Sequence, residues 1–182
     1  MKSAYVTLHV GLDTFQPIRE PRVEDHRIHR EAFSVSSHAL RTIRTAMAGR
    51  GRLVAVGSTA TRVLETLAQE GLLDALGGPE PAGAEDGAPA VSGATRIFIT
   101  PGYRFRAVGA LLTNLHLPRS SVLALTMAFA GVDRLRAAYA EAVALRYRFF
   151  SFGDAMLIDD LAEGPGAPAE ARATGADAPA AE

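Results

Sequence analysis

The sequence predicts an α/β domain with a layered sheet, and three observations carry that prediction. Short β-rich runs alternate with stretches of helical apolar spacing along most of the chain, which is the pattern of layered α/β architectures. The 182 residues suit a single domain large enough to bury a core without staples. Hydrophobic residues make up 48% and charged residues 21%, a globular mix, and there is no cysteine. The missing cysteines exclude a disulfide scaffold, thiolate catalysis, Cys-ligated zinc and iron–sulfur clusters. The longest apolar stretch, Val122–Ala130, is interrupted by Thr126 and falls well short of the roughly 20 residues that a membrane span needs. The N-terminus, MKSAYVTLHV, has one Lys and no signal-peptide pattern, so a cytoplasmic location is expected.

The elements follow in order. Tyr5–Val10 alternates and is β-rich, so it reads as a strand. Gly11–Glu31, polar and carrying Pro17 and Pro21, reads as a long irregular loop. Ser37–Met47 places Leu40, Ile43 and Met47 at helical spacing, with Gly49 and Gly51 closing the helix. Leu53–Val56 reads as a short buried strand. Gly57–Ser58 turns the chain, and Ser58 or Thr59 caps a helix that runs to about Glu70 and stops at Gly71. Arg96–Thr100 reads as a strand stopped by Pro101–Gly102. Leu111–Leu117 is apolar and ambiguous. Ser120 or Ser121 caps a helix to Ala130, and Asp133 caps another to about Tyr147. Phe149–Ile158 reads as a final strand broken at Gly153. Two segments, 77–94 and 163–182, are too poor in large apolar residues to offset their ordering entropy and are expected to be disordered. The expected organisation is an α/β domain over residues 1–162 with a disordered insertion at 77–94, followed by a disordered tail at 163–182.

Charge is unevenly spread. The basic residues are 18 Arg and Lys2, and the formal net charge is −1. Without the two low-complexity segments, 18 basic and 13 acidic residues remain, a net charge of +5 over 144 residues. That is compatible with a nucleic-acid partner without requiring one.

Four stretches hold side chains that could do chemistry. In Val23–Glu31, His26 and His29 are flanked by carboxylates. They could shuttle protons near neutral pH, bind a metal, or form a structural loop cluster. If that stretch were helical the two rings would share a face. No third ligand lies at close spacing and there is no HExxH, which weighs against a metal. In Val54–Arg62, a strand, a Gly turn and two hydroxyls at a helix start make either an anion site or a simple cap. In Thr113–Pro118, Asn114 and His116 interrupt an apolar run and must be hydrogen-bonded if buried, as core polar groups or as site residues. In a strand, residues two apart face one way, so both are expected on one side of the sheet. In Tyr147–Met156, clustered aromatics could stack on a base, or simply fill core.

Taken together these stretches resemble one family. LHVGLDTFQPI (Leu8–Ile18), EDHRIHRE (Glu24–Glu31), AVGSTATRVLET (Ala55–Thr66), IFITPGYRF (Ile97–Phe105), TNLHLPRSS (Thr113–Ser121), AFAG (Ala128–Gly131) and YRFFSFGDAM (Tyr147–Met156) occur in order. They resemble the S-adenosylmethionine:tRNA ribosyltransferase-isomerases of queuosine biosynthesis, over about Ala4 to Ile158 without 77–94. The resemblance implies an αβα-layered sheet domain. It also implies transfer and isomerisation of the ribosyl part of S-adenosylmethionine onto 7-aminomethyl-7-deazaguanine at the wobble position of tRNA, giving epoxyqueuosine-tRNA. S-adenosylmethionine is then a ribosyl donor, tRNA the macromolecular partner, no prosthetic group or metal is needed, and a monomer is expected.

By the same resemblance, His9, His26, His29, Glu31 and His116 are the candidate catalytic acids and bases. Gly11, Thr14, Gly57, Ser58, Thr59 and Asn114 are the candidate residues for holding the nucleoside. The chain departs from the pattern in two ways. It carries Asp13 where the family usually has a second Gly (LHVGxGTF), and it lacks the family's earlier segment, its inserted β-barrel and a PTAGLHF-type motif. The expectation is therefore a C-terminal portion of the family's architecture with little transfer activity as it stands. A truncated homologue that keeps only nucleoside or tRNA binding is the alternative reading. The absence of a GxSxG elbow speaks against a generic α/β hydrolase.

Overall fold

The computed structural model describes residues 1–11, 17–49, 51–73 and 89–160. It contains β1 (Val6–Leu8), a 3-10 turn at Val23–Asp25, β2 (Glu31–Ser36), α1 (Ser37–Ala48), β3 (Leu53–Val56), α2 (Ser58–Gln69), β4 (Pro89–Thr95), β5 (Val108–Asn114), α3 (Ser121–Ala130), α4 (Val132–Ala144), a 3-10 turn at Phe150–Phe152 and β6 (Ala155–Ile158). The α/β class is as the sequence predicts. The strands divide between two three-stranded sheets. One is antiparallel, in the order β1-β2-β4. In the other, β5 lies between parallel β3 and antiparallel β6.

Helix α2 sits between the two sheets and packs against β1 and β4 of one and β3 and β5 of the other. The core gathers Phe33 and Val35 from β2, Leu40 and Ile43 from α1, Val63 and Leu67 from α2, Leu111 from β5, and Leu125 and Phe129 from α3. Phe129 is fully buried and takes the edge of Phe105 at 4.9 Å between ring centres. Each such large apolar side chain contributes about 1.5–3 kcal/mol by leaving water.

Local chemistry explains the helix starts. Ser36 Oγ accepts the Ala39 N–H at 3.2 Å and Ser120 Oγ accepts the Leu123 N–H at 3.2 Å, each capping its helix. Helix α2 differs. Its cap is Gly57, at φ 89°, and no side chain caps it, so neither Ser58 nor Thr59 plays the expected capping part. Gly131, at φ 85°, ends α3 and starts α4, and Asp133 lies in the first turn of α4 rather than at its cap. Both turns need a positive φ that L-residues with side chains rarely adopt.

Several expected elements are corrected. Residues 89–94 are not disordered. They form most of β4, because β2 supplies a hydrogen-bonding edge that composition does not reveal. Gly93 fits there because an added Cβ would meet the Phe33 ring at 2.9 Å. Residues 77–88 and the 163–182 tail lie outside the described residues. Glu31 does not end a loop but begins β2. Arg96–Thr100 is not a strand, since it finds no ladder partner among the described residues, although Ile99 is buried. Strand β3 is not buried on both sides, as Val54 and Val56 are exposed. Phe149–Ile158 splits into a 3-10 turn and the four-residue β6.

Glu65 of α2 is fully buried, and four donors satisfy its carboxylate. Oε1 accepts from the N–H groups of Ala107 and Val108, at 3.0 and 2.9 Å. Oε2 accepts from the Arg106 N–H at 2.9 Å and the Tyr103 hydroxyl at 3.0 Å. Burial, and then the negative charge of Glu65, push the Tyr103 hydroxyl pKa well above its ordinary value, so it stays a donor. Replacing Glu65 with Gln turns an NH2 toward backbone donors and removes the charge that strengthens these bonds. The expected cost is roughly 2–3 kcal/mol, read as a lower urea midpoint at unchanged slope. An unchanged midpoint would show that the carboxylate is not what anchors this segment.

Candidate functional site

A pocket opens where the N-termini of α2 and α3 come together. Ser58, Thr59 and Arg62 form one wall and Ser121, Val122 and Leu125 a second. Ile97, Phe98 and Ile99 of the unpaired segment, with Val10 and Ile28, complete it. The first N–H groups of a helix lack intrahelical acceptors and carry the positive end of its dipole, so both ends favour an anion. The α3 end is partly satisfied by Ser120, while α2 has no side-chain cap. The remaining lining is mostly apolar, which suits a nucleoside or an aliphatic chain more than free solvent.

Behind the α2 wall lies a buried ion pair. Glu31 points inward from β2 on the same face as Phe33 and Val35 and is 1% exposed. Its Oε2 accepts from Arg62 Nη1, and its Oε1 accepts the Gly11 N–H at 3.2 Å. Arg62 itself is 9% exposed. Among the described residues, its Nε and Nη2 have no hydrogen-bond partner. Leaving charged donors desolvated and unpaired is costly, so this guanidinium stands ready for an acceptor.

The sequence-predicted residues distribute unevenly around this pocket. Ser58 and Thr59 line it, and Gly57 turns the chain into it. Gly11 reaches it through Glu31. Thr14 and Asp13 lie outside the described residues. His26 Nδ1 lies 3.0 Å from Glu20 Oε2, and its ring meets the edge of Phe98 at 5.6 Å. The Glu20 carboxyl is held below its ordinary range by a backbone hydrogen bond first and by His26 second. The 3-10 turn ends at Asp25 and His26 is already extended, so His26 and His29 do not share a helical face. His9 and His29 are exposed, and the His9 N–H pairs with the Ala32 carbonyl at 2.8 Å.

Asn114 and His116 are not at the pocket. Strand β5 ends at Asn114, so the two-residue alternation does not carry on to His116. Asn114 is exposed. His116 Nε2 bonds Thr113 Oγ1 at 2.7 Å, and its backbone N–H donates to the Tyr139 hydroxyl of α4 at 2.7 Å. His116 therefore fastens β5 to α4. Of the Tyr147–Met156 aromatics, Phe149 packs edge-on against Tyr139 at 5.5 Å, whereas Tyr147 and Phe150 are exposed.

Arg62 and Phe98 are the residues that reading by motif did not single out. Arg62 carries a signal in hindsight. It closes the AVGSTATR stretch and lies four residues after Ser58, on the same helix face. Among the described residues no three His, Asp or Glu gather to hold a metal, and no helix is long and apolar enough to cross a membrane.

Fold and pocket together define an α/β protein with a cleft where two helix N-termini meet. A family model described as "Queuosine biosynthesis protein" matches residues 1–158, and the chain belongs to that family. It is 49% identical over 160 residues to an S-adenosylmethionine:tRNA ribosyltransferase-isomerase of Dechloromonas aromatica, covering 87% of this chain and 41% of that protein. It is 53% identical over 159 residues to a protein of the same name from Nitrosospira multiformis, covering 85% and 43% respectively. The crystal structure of S-adenosylmethionine tRNA ribosyltransferase from Thermotoga maritima matches with a TM-score of 0.57 and 45% identity, covering 70% of this chain and 40% of that one. The chain thus spans about two fifths of the length of these relatives.

Burial holds the His116 imidazole below its ordinary pKa of 6.5. The unfolded chain takes up that proton near the ordinary value. In the window between the lowered folded pKa and 6.5 the unfolded state binds more protons, so stability falls as pH drops through it. His116→Gln lacks this titration, while the other histidines contribute alike to both proteins. Urea unfolding at about pH 7.5 and about pH 5.5 should show a smaller acid loss in the variant. Equal losses would mean that the ring is not desolvated.

Proposed function

We propose that this chain is the part of an S-adenosylmethionine:tRNA ribosyltransferase-isomerase that holds the nucleoside substrate, with the pocket between α2 and α3 as its site. The observation that carries the reading is the match to the relatives of that name at 49% and 53% identity over most of the chain. The substrate is S-adenosylmethionine as ribosyl donor. The acceptor is 7-aminomethyl-7-deazaguanine at the wobble position of tRNA, and the product is epoxyqueuosine-tRNA. Such chemistry needs a base to remove a proton beside the sulfonium and an acid to assist the departure of adenine.

Of the candidates, His26 is the titratable ring set against the pocket lining, through Phe98, and is steadied by Glu20. It is our choice for proton transfer. Glu31, committed to Arg62, acts as a positioning residue. His116 is structural, and His9 and His29 are given no catalytic part. A second reading is nucleoside or tRNA binding without turnover, for which the pocket lining and the buried Arg62–Glu31 pair suffice.

Incubating the purified chain with S-adenosylmethionine and tRNA carrying the 7-deazaguanine base, with calorimetry alongside, separates these readings. The expected outcome is measurable binding of S-adenosylmethionine, with adenine release far below that of the full-length Nitrosospira multiformis relative. Adenine release at the relative's rate would assign the whole reaction to this chain. Failure to bind S-adenosylmethionine would overturn the assignment of the pocket.

A further inference from the structure

We propose that Arg62 is the carboxylate anchor of the pocket, and that its unused edge takes the α-carboxylate at the methionine end of S-adenosylmethionine. This rests on the reading of the pocket as the S-adenosylmethionine site, and adds to it which atoms hold which end of the ligand.

The geometry of the guanidinium carries the inference. Glu31 occupies Nη1. Nε and Nη2, which remain, form the side edge of the fork, the edge that presents two parallel N–H groups to a planar oxyanion. Both are buried, and neither has a hydrogen-bond partner among the described residues. Arg62 lines the pocket one helical turn below Ser58 and Thr59, under the uncapped start of α2. A carboxylate there gains a bidentate pair, while the helix end adds favourable potential.

The same setting selects among anions. Glu31 already balances the charge of Arg62, so the site offers two directed donors rather than excess positive charge. A polynucleotide phosphate is bulky and stays hydrated, and it would have to reach a side chain that is 9% exposed, past Ile97, Phe98 and Val122. A thin aliphatic chain meets the same apolar walls favourably and can carry its terminal carboxylate past them to the paired donors.

Calorimetry on the purified chain tests this with S-adenosylmethionine and its decarboxylated analogue, which keeps the sulfonium and the nucleoside. The expected result is at least tenfold tighter binding of S-adenosylmethionine. Because Arg62→Gln alone strands the buried Glu31 and endangers folding, the variant is the double substitution Glu31→Gln with Arg62→Gln, verified as folded by its cooperative melt. It should bind the two ligands with equal affinity. Equal binding of both ligands by the wild type would sink the inference and leave the nucleoside reading standing. Binding of neither would remove the nucleoside reading and this inference with it. If a tRNA anticodon stem-loop lacking the target base competes for wild type but not for the double variant, while decarboxylation is without effect, the guanidinium belongs to a phosphate and the proposal is wrong.

Discussion

One helix joins this molecule together, through two charges that it buries. Arg62 and Glu65 sit three residues apart on α2, so they lie on neighbouring turns of one face. Arg62 reaches Glu31 at the start of β2, in the antiparallel sheet. Glu65 binds the chain from Tyr103 to Val108, where β5 of the mixed sheet begins. The two sheets share no strand. Helix α2 packs against both, with its apolar Val63 and Leu67 in the shared core, and α1 also touches strands of each. Burying a charge is expensive unless it is paired and hydrogen-bonded. That expense makes these contacts selective, because a slip of α2 by one residue would strand both ions away from their partners. Hydrophobic contacts alone would tolerate such a slip far better.

The two charges are finished to different degrees. Glu65 has four donors and no unmet demand. Arg62 shares one nitrogen with Glu31 and leaves two without partners among the described residues. A structural ion and a binding ion therefore stand side by side on one helix, and the difference lies in what surrounds them. Backbone amides enclose Glu65, whereas the pocket lies beside Arg62. The pair with Glu31 also draws in the Gly11 N–H, so the position of the guanidinium is tied to the loop that follows β1.

The helices were legible because their signals are local. Apolar spacing and the serines before α1 and α3 are properties of adjacent residues, and these helices sit where that spacing puts them. Strands β2 and β4 were not legible, for a reason also written in the residues. Glu31 looks like the end of a polar loop, because its partner, Arg62, lies 31 positions away. PAVSGAT in β4 is made of small residues that pack poorly on their own and become a strand only against β2. The IFIT run misleads in the opposite direction. Its alternation is genuine, but it pairs with no strand among the described residues and lines the pocket instead. Of the pocket lining, Ser58 and Thr59 are legible from the strand–Gly–hydroxyl stretch that precedes α2. Arg62 needed the fold, since nothing in a sequence says which side chain of a helix will be buried with donors to spare. The position of His116 is not legible from strand alternation, because β5 ends at Asn114, two residues before it.

Register within the mixed sheet leads to a last consequence. Paired residues share a face, so Ala55, Leu111 and Ile158 point together into the core, and all three are buried. Val56, Leu112 and Leu157 point together the other way, with Val56 68% and Leu157 60% exposed. Strand β3 is therefore apolar on both faces, the pattern of parallel strands in sheets covered on both sides. Among the described residues only one face is covered. Antiparallel sheets that meet water on one side alternate polar with apolar residues, and β2 does so, with Glu31, Phe33 and Val35 inside and Ala32, Ser34 and Ser36 outward. The two sheets thus differ in what their outer faces are built to meet. The outer face of the first carries the small and polar residues that suit water. The outer face of the second carries branched apolar side chains whose exposure costs free energy.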